Sequence, residues 1–199
     1  MRIFACSDVH LKLNLLEEAL KNSRGADLAI CLGDITVFNK GLDTALEKLK
    51  DLNDHVIVIP GNNESLKELE EKAFAKGLIF AHGKKIEFGG FTFAGVGGSL
   101  YTPFKTPFEI GEEDFRKILS GFKGSKNLIL LSHSPPFNTG LDLTHSGEHI
   151  GSVELRKFIE EESPLLCLCG HVHERTGLSE RIGSTLIVNP GPRGMLLEV

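Results

Sequence analysis

Apolar runs alternate with amphipathic stretches along the first part of the chain, and this alternation predicts strands followed by helices. Two of the amphipathic stretches have an apolar face of leucine and alanine at helical spacing: Leu13, Leu16, Ala19 and Leu20, then Leu42, Ala45, Leu46 and Leu49. A third begins at Ser65, with Glu68 three residues later, which is typical of a capping box. Strand–helix–strand units of this kind predict a parallel sheet with right-handed crossovers.

The pattern changes near residue 79, where short alternating runs replace the strand–helix units. Gly89-Gly90 separates two of these runs and predicts a hairpin turn. Residues 99–110 and 134–151 are predicted loops, and two further helices are expected at Glu112–Phe122 and Ser152–Glu161. Further strands are expected at Ile79–Ala81, Lys85–Phe88, Phe91–Val96, Thr185–Val188 and Met195–Val199. This order predicts one α/β domain over residues 1–199, built from two packed sheets with helices outside.

Residues that commonly bind metals follow directly after several of the predicted strands. The strands concerned are Arg2–Ser7, Leu28–Leu32, His55–Pro60, Leu128–Ser132 and Leu165–Cys169. The motifs that follow them are, in order, Asp8-Val9-His10, Gly33-Asp34, Gly61-Asn62-Asn63-Glu64, His133 and Gly170-His171-Val172-His173. Because open α/β sheets bind ligands beyond the carboxyl ends of their strands, we predict that these motifs form one site.

The chemistry of these side chains indicates divalent metals. Carboxylate, imidazole and amide oxygen together suit borderline ions such as Mn, Fe, Zn, Ni or Co. Asp8 and His10 are separated by one residue, so on an extended segment they point the same way, and His171 and His173 repeat this spacing. Asp34 has two oxygens that can bridge a pair of ions. Two ions about 3.5–4 Å apart stabilise both the attacking and the leaving oxygen of a displacement at phosphorus.

An alternative explanation of the same residues is turn and capping chemistry, which is common for Asp and Asn at strand ends. It explains each motif singly but not the ordered set. For the lone histidine, His82 competes with His133, since both follow apolar runs. We favour His133 because it directly follows its strand and precedes Pro135-Pro136.

In this order the motifs resemble those of the calcineurin-like metallophosphoesterases, and the resemblance covers almost the whole chain. It implies a four-layer αββα sandwich of two mixed β-sheets flanked by helices. It also implies a metal-dependent phosphoesterase that uses a metal-bridging hydroxide in an in-line attack, without a covalent intermediate. The implied ligands of the first metal are Asp8, His10, Asp34 and His173, and those of the second are Asp34, Asn62, His133 and His171.

One position departs from the family pattern, because Asn63 stands where the family usually has a histidine near the leaving-group oxygen. Asparagine donates a hydrogen bond but cannot deliver a proton at neutral pH. The catalytic contribution of Asn63 is therefore limited to donation, and the acid comes from elsewhere or is not needed. Among the candidates His82, His145 and His149, we favour His149 as the catalytic acid because it lies in the loop after His133.

Two interpretations stay open for several residues near these motifs. Tyr101, Phe104 and Phe108 either stack on a base or form a small satellite core. Glu64 either orients a metal ligand through a hydrogen bond or lies at the start of a helix, where its charge interacts favourably with the helix dipole. Arg193 binds phosphate at the mouth of the site or is a solvated turn residue, which we favour.

Composition narrows the partners. The net charge of −5 is unfavourable for general binding to nucleic acid, and no apolar stretch is long enough to cross a membrane. We expect a small phosphorylated substrate, nucleotide-like in one interpretation, with phosphodiesters favoured over monoesters. A homodimer remains compatible with the sequence. A nuclease and a scaffold without catalysis are the alternative functions for a chain of this resemblance.

The cysteines indicate the cellular compartment. Cys6, Cys31, Cys167 and Cys169 all fall in or beside predicted strands, which predicts buried, reduced thiols rather than a zinc site. A reducing compartment, most simply the cytoplasm, follows. We also expect no cleaved signal peptide, because cleavage would remove Asp8.

Overall fold

The strand–helix units of the first half form a parallel sheet in the computed structural model, which describes residues 1–199 apart from the side chain of Leu13. In this sheet β1 to β4 are neighbours in chain order and run parallel. The prediction of a parallel sheet is therefore confirmed. The elements are β1 (Arg2–Cys6), α1 (Leu13–Asn22), β2 (Leu28–Cys31), α2 (Leu42–Leu49), β3 (Val56–Val58), α3 (Leu66–Ala75) and β4 (Ile79–Phe80).

The second half forms a mixed sheet and returns one strand to the first. Its elements are β5 (Lys85–Phe88), β6 (Phe91–Val96), α4 (Glu112–Ser120), β7 (Leu128–Ser132), α5 (Val153–Glu162), β8 (Leu166–Leu168), β9 (Ser179–Ile182), β10 (Thr185–Val188) and β11 (Met195–Glu198). The strand order is β5-β6-β7-β8-β10-β9, with antiparallel pairs at both edges. β5 and β6 pair through the predicted Gly89-Gly90 hairpin, and β11 pairs antiparallel with β1.

Three apolar layers hold the sheets and helices together. Between the sheets, side chains such as Ile30, Ile57, Phe93 and Ile129 are fully buried and pack in one cluster. Strands that are buried on both faces need apolar residues at successive positions, which is why these strands appear as continuous apolar runs. A second cluster joins the first sheet to α1–α3, and a third joins the second sheet to α4 and α5. The four-layer αββα sandwich is thus confirmed.

The predicted helix faces agree with the observed burial. Leu42, Ala45, Leu46 and Leu49 of α2 are all buried. In α1 the predicted residues Leu16 and Ala19 are buried and Leu20 packs against the same cluster, whereas Leu13 lies outside the described side chains. The hydrophobic period therefore located the core-facing side of these helices.

Two details differ from the sequence predictions. Strand β9, Ser-Glu-Arg-Ile, was not predicted, because three of its four residues are exposed and an edge strand of this kind has no apolar pattern. The prediction of a capping box at Ser65 is wrong, because among the described side chains the Ser65 hydroxyl makes no capping hydrogen bond. Instead Asn39 Oδ1 accepts the Ser65 N–H at 2.9 Å, while Glu68 pairs with Asn39 and Lys72.

Among the described residues, no helix combines the length and apolar character required to cross a bilayer. All four cysteines are buried and free. The hydrogen bond with Cys6, then burial, raises the pKa of Cys31, and burial raises the pKa of Cys167 to about 12. The prediction of buried thiols is confirmed.

Candidate metal centre

Strand ends from both sheets meet at one edge of the sandwich. Asp8 and Asp34 come two and three residues after β1 and β2, and Asn62 follows β3, all in the first sheet. His133 directly follows β7 of the second sheet, and His171 comes three residues after β8. The fold therefore brings ligand-type side chains from distant parts of the chain to a single edge, as sheet topology predicts.

The backbone at this edge is strained. Asp8, His10, Asp34 and His171 have φ of 60°, 46°, 51° and 67°, in the left-handed region that side chains other than glycine rarely occupy. Each such residue costs on the order of 1–3 kcal/mol, and strain of this kind concentrates at functional sites. Asp8 and His10 do converge, as expected, and His171 and His173 line the same cavity, but the expected extended backbone is wrong. Left-handed turns, not strand alternation, aim these side chains.

The first group of ligands is compact. One donor atom from each of Asp8, His10, Asp34 and His173 lies within 4.8 Å of the others. His10 Nε2 is 3.0 Å from His173 Nε2 and 3.6 Å from Asp34 Oδ2, and His173 Nε2 is 3.5 Å from Asp8 Oδ1. This arrangement matches the ligand set that the family resemblance implies for the first metal.

The second group lies on the other side of Asp34. His133 Nε2 is 3.0 Å from Asn62 Oδ1 and 3.6 Å from Asp34 Oδ1. The rings of His133 and His171 meet edge to face, with their centroids 5.2 Å apart. Because one oxygen of Asp34 faces His10 and the other faces His133, this carboxylate is placed to bridge two ions.

The hydrogen bonds of the imidazoles show that this geometry fits metal ions. His10 Nδ1 donates to the Thr36 carbonyl and His133 Nδ1 to the Leu32 carbonyl, each at 2.9 Å. A carbonyl only accepts, so in each neutral ring Nε2 carries the lone pair and faces the cluster. The Nε2 lone pair of His133 then faces Asn62 Oδ1, another acceptor. Two acceptors at 3.0 Å repel each other unless a cation lies between them.

Glycines allow the motifs to approach one another. A Cβ on Gly170 would overlap Ser7 Oγ and lie 2.6 Å from Asp8 Oδ2. Without it, the His171 N–H reaches the Asp8 carboxylate at 3.1 Å. A Cβ on Gly61 would overlap Asp34 Oδ1 in the same way. The glycine of each motif is therefore required by close packing of backbone against a ligand.

Burial and neighbouring charges set the protonation of the ligands. Burial alone would raise the pKa of Asp8, but hydrogen bonding to His173 holds it below its usual range. The same hydrogen bond raises the pKa of His173. Burial, then the nearby His133, lowers the pKa of His171 to about 4. Asp8 is thus a carboxylate and His171 a neutral imidazole at neutral pH, which are the forms that bind metals.

Glu64 supports the Asp34 loop from beneath. Its carboxylate accepts hydrogen bonds from the backbone N–H groups of Asp34, Thr36 and Gly61 at 2.8–2.9 Å and from the Thr36 hydroxyl at 2.7 Å. Burial, then the charge of Asp34, raises the pKa of Glu64 to about 7. Of the two interpretations left open by the sequence, the geometry favours an orienting role.

Asn63 joins a metal ligand to the neighbouring loop. Its backbone N–H and its Nδ2 donate to the two oxygens of Asp34 at 2.8 and 2.7 Å. Its Oδ1 accepts the Phe38 N–H at 3.1 Å. Asn63 therefore positions Asp34 and residues 38–39, and its amide has no proton to give a leaving group.

The structure does not bring every candidate to the cluster. His149 donates from Nδ1 to Asp142 at 2.7 Å and its ring packs on Phe137, whereas its neighbours Glu148 and Ile150 line the cavity over the metal cluster. Alternation along this short bridged segment aims His149 away from that cavity, so its geometry gives no support to a catalytic acid there.

Four further candidates also lie elsewhere. His82 accepts the Gly97 N–H through Nδ1 at 2.9 Å, and the His145 side chain is exposed. Arg193 pairs with Glu18 of α1 at 2.6 Å, as expected of a solvated turn residue. Phe108 packs edge to face on His82.

A cavity of about 480 Å³ opens over the cluster, within the range of small-molecule sites. Metal-ligand candidates form part of its wall, and the rim combines apolar and aromatic residues with polar ones such as Glu148 and Glu174. A groove of about 520 Å³ between α4 and α5 is larger, but its charges are paired, as in Lys123–Glu161 and Lys157–Glu154. The apolar rim residues of the cavity over the cluster are Phe38, Leu100, Tyr101, Pro103, Phe104 and Ile150.

Comparison with known proteins agrees with this geometry. Residues 1–175 match the family model of the calcineurin-like phosphoesterases. The chain belongs to this family. Membership makes metal-dependent hydrolysis of phosphate esters the expected chemistry, and the Asp and His cluster supplies the metal-binding groups that it requires.

Individual relatives extend the comparison. The chain is 39% identical over 200 residues to the uncharacterized protein MJ1162 of Methanocaldococcus jannaschii, covering 97% of this chain and 89% of that protein. TT1561 of Thermus thermophilus superposes with a TM-score of 0.78 at 22% identity, covering 96% and 88%. The phosphopantetheinyl hydrolase PptH of Mycobacterium tuberculosis gives 0.75 at 12% identity, covering 98% and 95%. The two solved structures show that this chain shares their fold.

Sequence reasoning missed two parts of the site. Phe38 has φ of 47° and lines the cavity, but nothing in its local sequence indicates that role. Thr106 accepts a hydrogen bond from Asn62 Nδ2 at 3.1 Å across 44 residues. Long-range contacts of this kind leave no local pattern, although residues 99–110 were predicted to form a loop.

Proposed function

We propose that this chain is a dinuclear-metal-dependent phosphodiesterase that acts on small phosphate diesters. The observation that carries the proposal is the cavity with its two ligand groups around Asp34. Asp8, His10, Asp34 and His173 would hold one ion, and Asp34, Asn62, His133 and His171 the other. When bound, such a pair acidifies water and neutralises charge at phosphoryl oxygens.

The charge of the cavity supports a diester over a monoester. The residues that line the cavity, within the described side chains, include Glu148 and Glu174 but no lysine or arginine. A monoester dianion carries more negative charge than a diester and is repelled more strongly by these carboxylates. In addition, Asn63 cannot protonate a departing alkoxide. Activity therefore depends on leaving groups that are already acidic.

The test is hydrolysis of bis(p-nitrophenyl) phosphate and of p-nitrophenyl phosphate by metal-stripped protein supplied with Mn²⁺, Ni²⁺, Zn²⁺, Co²⁺ or Mg²⁺. We expect metal-dependent turnover with a higher kcat/KM for the diester. Bound metal is counted in parallel, and two ions per chain are expected. Asp34→Asn should lower both the metal content and the rate.

The other outcomes are equally informative. A higher kcat/KM for the monoester would contradict the diester preference. Protein that binds no metal and hydrolyses neither ester would overturn the proposal and favour a scaffold. Metal-dependent cleavage of DNA exceeding that of the small diester would favour a nuclease, which the acidic cavity rim argues against.

A further inference from the structure

Exposed aromatic rings surround the opening of the cavity over the metal cluster. Phe38, Tyr101 and Phe104 are 51%, 76% and 75% exposed, and all three line this cavity. They come from two separate loops, one after β2 and one after β6. Large apolar side chains are seldom left exposed in a group, and such groups mark binding sites. We call Phe38, Tyr101 and Phe104 the aromatic lip.

The loop that carries Tyr101 and Phe104 is ordered by a network of hydrogen bonds. Glu109 Oε1 accepts from the Thr102 hydroxyl at 2.6 Å and from the backbone and hydroxyl of Thr106 at 2.8 and 2.6 Å. The Phe108 N–H donates to the Asn62 carbonyl at 3.0 Å. The loop backbone that carries the rings is thus ordered before a ligand arrives, which lowers the entropic cost of binding.

Phe38 is held from the opposite side under strain. Phe38 and Asn39 have φ of 47° and 62°, and left-handed φ at a bulky residue such as Phe38 is unfavourable. The Asn63 side chain accepts the Phe38 N–H, and the Asn63 carbonyl accepts the Asn39 N–H at 2.7 Å. The residue that holds Asp34 therefore also keeps one ring of the aromatic lip at the site.

The rest of the rim is polar and suits a ligand with hydrogen-bond donors. Glu148 and Glu174 offer carboxylates, and Thr102 and Thr144 offer hydroxyls, at the same cavity. A long polyanion is disfavoured by these carboxylates, whereas amino and hydroxyl groups of a small molecule are favoured. Planar rings such as nucleic-acid bases stack on aromatic side chains whatever the identity of the base.

We propose that the aromatic lip binds a planar ring in the organic group of the substrate, an inference that rests on the proposed function. The substrate class is then a nucleoside phosphodiester. The phosphate lies at the metal centre and the base stacks at the lip. A cavity of about 480 Å³ accommodates a ligand of mononucleotide size. The lip thus acts as the specificity element, while the metal centre binds the phosphoryl group.

The first test compares two diesters with the same leaving group, thymidine 5′-(p-nitrophenyl) phosphate and ethyl p-nitrophenyl phosphate. We expect kcat/KM to be at least about tenfold higher for the thymidine ester. Tyr101→Ala and Phe104→Ala should each reduce this ratio by about 5-fold or more. The control is Phe74→Ala, because Phe74 is 85% exposed on α3 and lines a different groove.

The second test does not depend on turnover. Tyr101 is the only tyrosine and the chain has no tryptophan, so Tyr101 reports directly on the lip by fluorescence. The monomethyl ester of the phosphonate analogue of adenosine monophosphate, a monoanion like a phosphodiester, should quench this emission saturably at the red edge of tyrosine absorption, and monomethyl propylphosphonate should not. Phe104→Ala should weaken the quenching, and Phe74→Ala should leave it as in the wild type.

The outcomes separate the two proposals. No hydrolysis of either diester, with quenching intact, would overturn the proposed activity but support the lip as a ring-binding site. Equal hydrolysis of both diesters without quenching would overturn the lip and support the activity. A change of Tyr101 emission on dilution without ligand would assign the lip to a second copy of the chain and overturn the inference.

Discussion

At the scale of single residues, the geometry shows how one loop is connected to a metal ligand. The Asn62 amide is oriented by Thr106, whose hydroxyl accepts from Nδ2 and donates to Glu109. With Nδ2 held in this way, Oδ1 faces His133. The loop at 99–110 therefore fixes which atom of Asn62 would face the proposed second ion.

Thr106→Val removes this hydroxyl while keeping the shape of the side chain. We expect the affinity for the second metal ion to fall about 10- to 100-fold, since partners that orient a ligand typically contribute that much. Titration of metal-stripped protein by calorimetry measures it, and Thr106→Ser should restore binding. Thr102→Val is the matched control, because Thr102 also bonds Glu109 but makes no bond to Asn62. Equal losses in Thr106→Val and Thr102→Val would contradict the prediction.

His82 gives a pH dependence of stability. Burial lowers its pKa from 6.5 to about 4. Between these values the unfolded chain binds a proton that the native chain does not, so the free energy of unfolding falls as the pH drops. A gap of roughly 2.5 pKa units corresponds to about 3 kcal/mol at the acidic end.

His82→Asn keeps an acceptor for the Gly97 N–H and removes this titration. Urea unfolding between about pH 6.5 and pH 4 should show a smaller loss of stability for this variant than for the wild type. His55→Asn, at an exposed histidine, should follow the wild type. Parallel curves for His82→Asn and wild type would count against the assignment.

At the scale of elements, one helix caps another. Glu112, the first residue of α4, accepts hydrogen bonds at the start of α5 from the Ser152 hydroxyl at 2.6 Å and the Val153 and Glu154 N–H groups at 2.7 and 3.1 Å. A carboxylate at a helix N-terminus satisfies backbone donors and complements the dipole. This contact joins the two helices that cover the second sheet.

Glu112→Ala should lower the free energy of unfolding by about 1–2 kcal/mol, the usual cost of a lost helix cap. The neighbouring Glu113→Ala is the control, because Glu113 is exposed and its ion pair with Arg116 at 3.6 Å contributes little. Denaturant unfolding of both variants measures the difference. Equal effects would show that the capping contact has no special weight.

At the scale of the whole molecule, the candidate ligands connect the two sheets. Asp8, Asp34 and Asn62 follow strands of the first sheet, while His133 and His171 follow strands of the second. Ions bound here would hold both sheets of this chain together at one edge. Metal binding is therefore coupled to global stability as well as to chemistry.

Removing metal should lower the Tm. At a free metal concentration about 1,000 times Kd, binding to the native state contributes about 4 kcal/mol. For a chain of this size that is a decrease of about 10 °C on chelation. Calorimetry with and without chelator measures it, and Asp34→Asn should show a much smaller difference. An unchanged Tm in protein that has lost its metal would contradict the coupling.

The sequence by itself determined the layers and the order of the site. Strands buried on both faces must be apolar at successive positions, and helix faces must repeat with the helical period, so β1–β3, α2 and their ends were predictable. The positions of the candidate metal ligands were predictable as well, because these residues follow the strand ends. The polar edge strand β9 was missed because exposure leaves no apolar pattern.

Only the tertiary structure decided how those residues act together. Left-handed turns at Asp8 and Asp34, rather than strand alternation, aim the ligands. The tertiary structure also directs His149 toward Asp142 and brings Thr106 into contact with Asn62. It also placed the aromatic lip over the metal centre. These contacts join residues far apart in the chain, and their energies depend on distance in space, which local sequence does not encode.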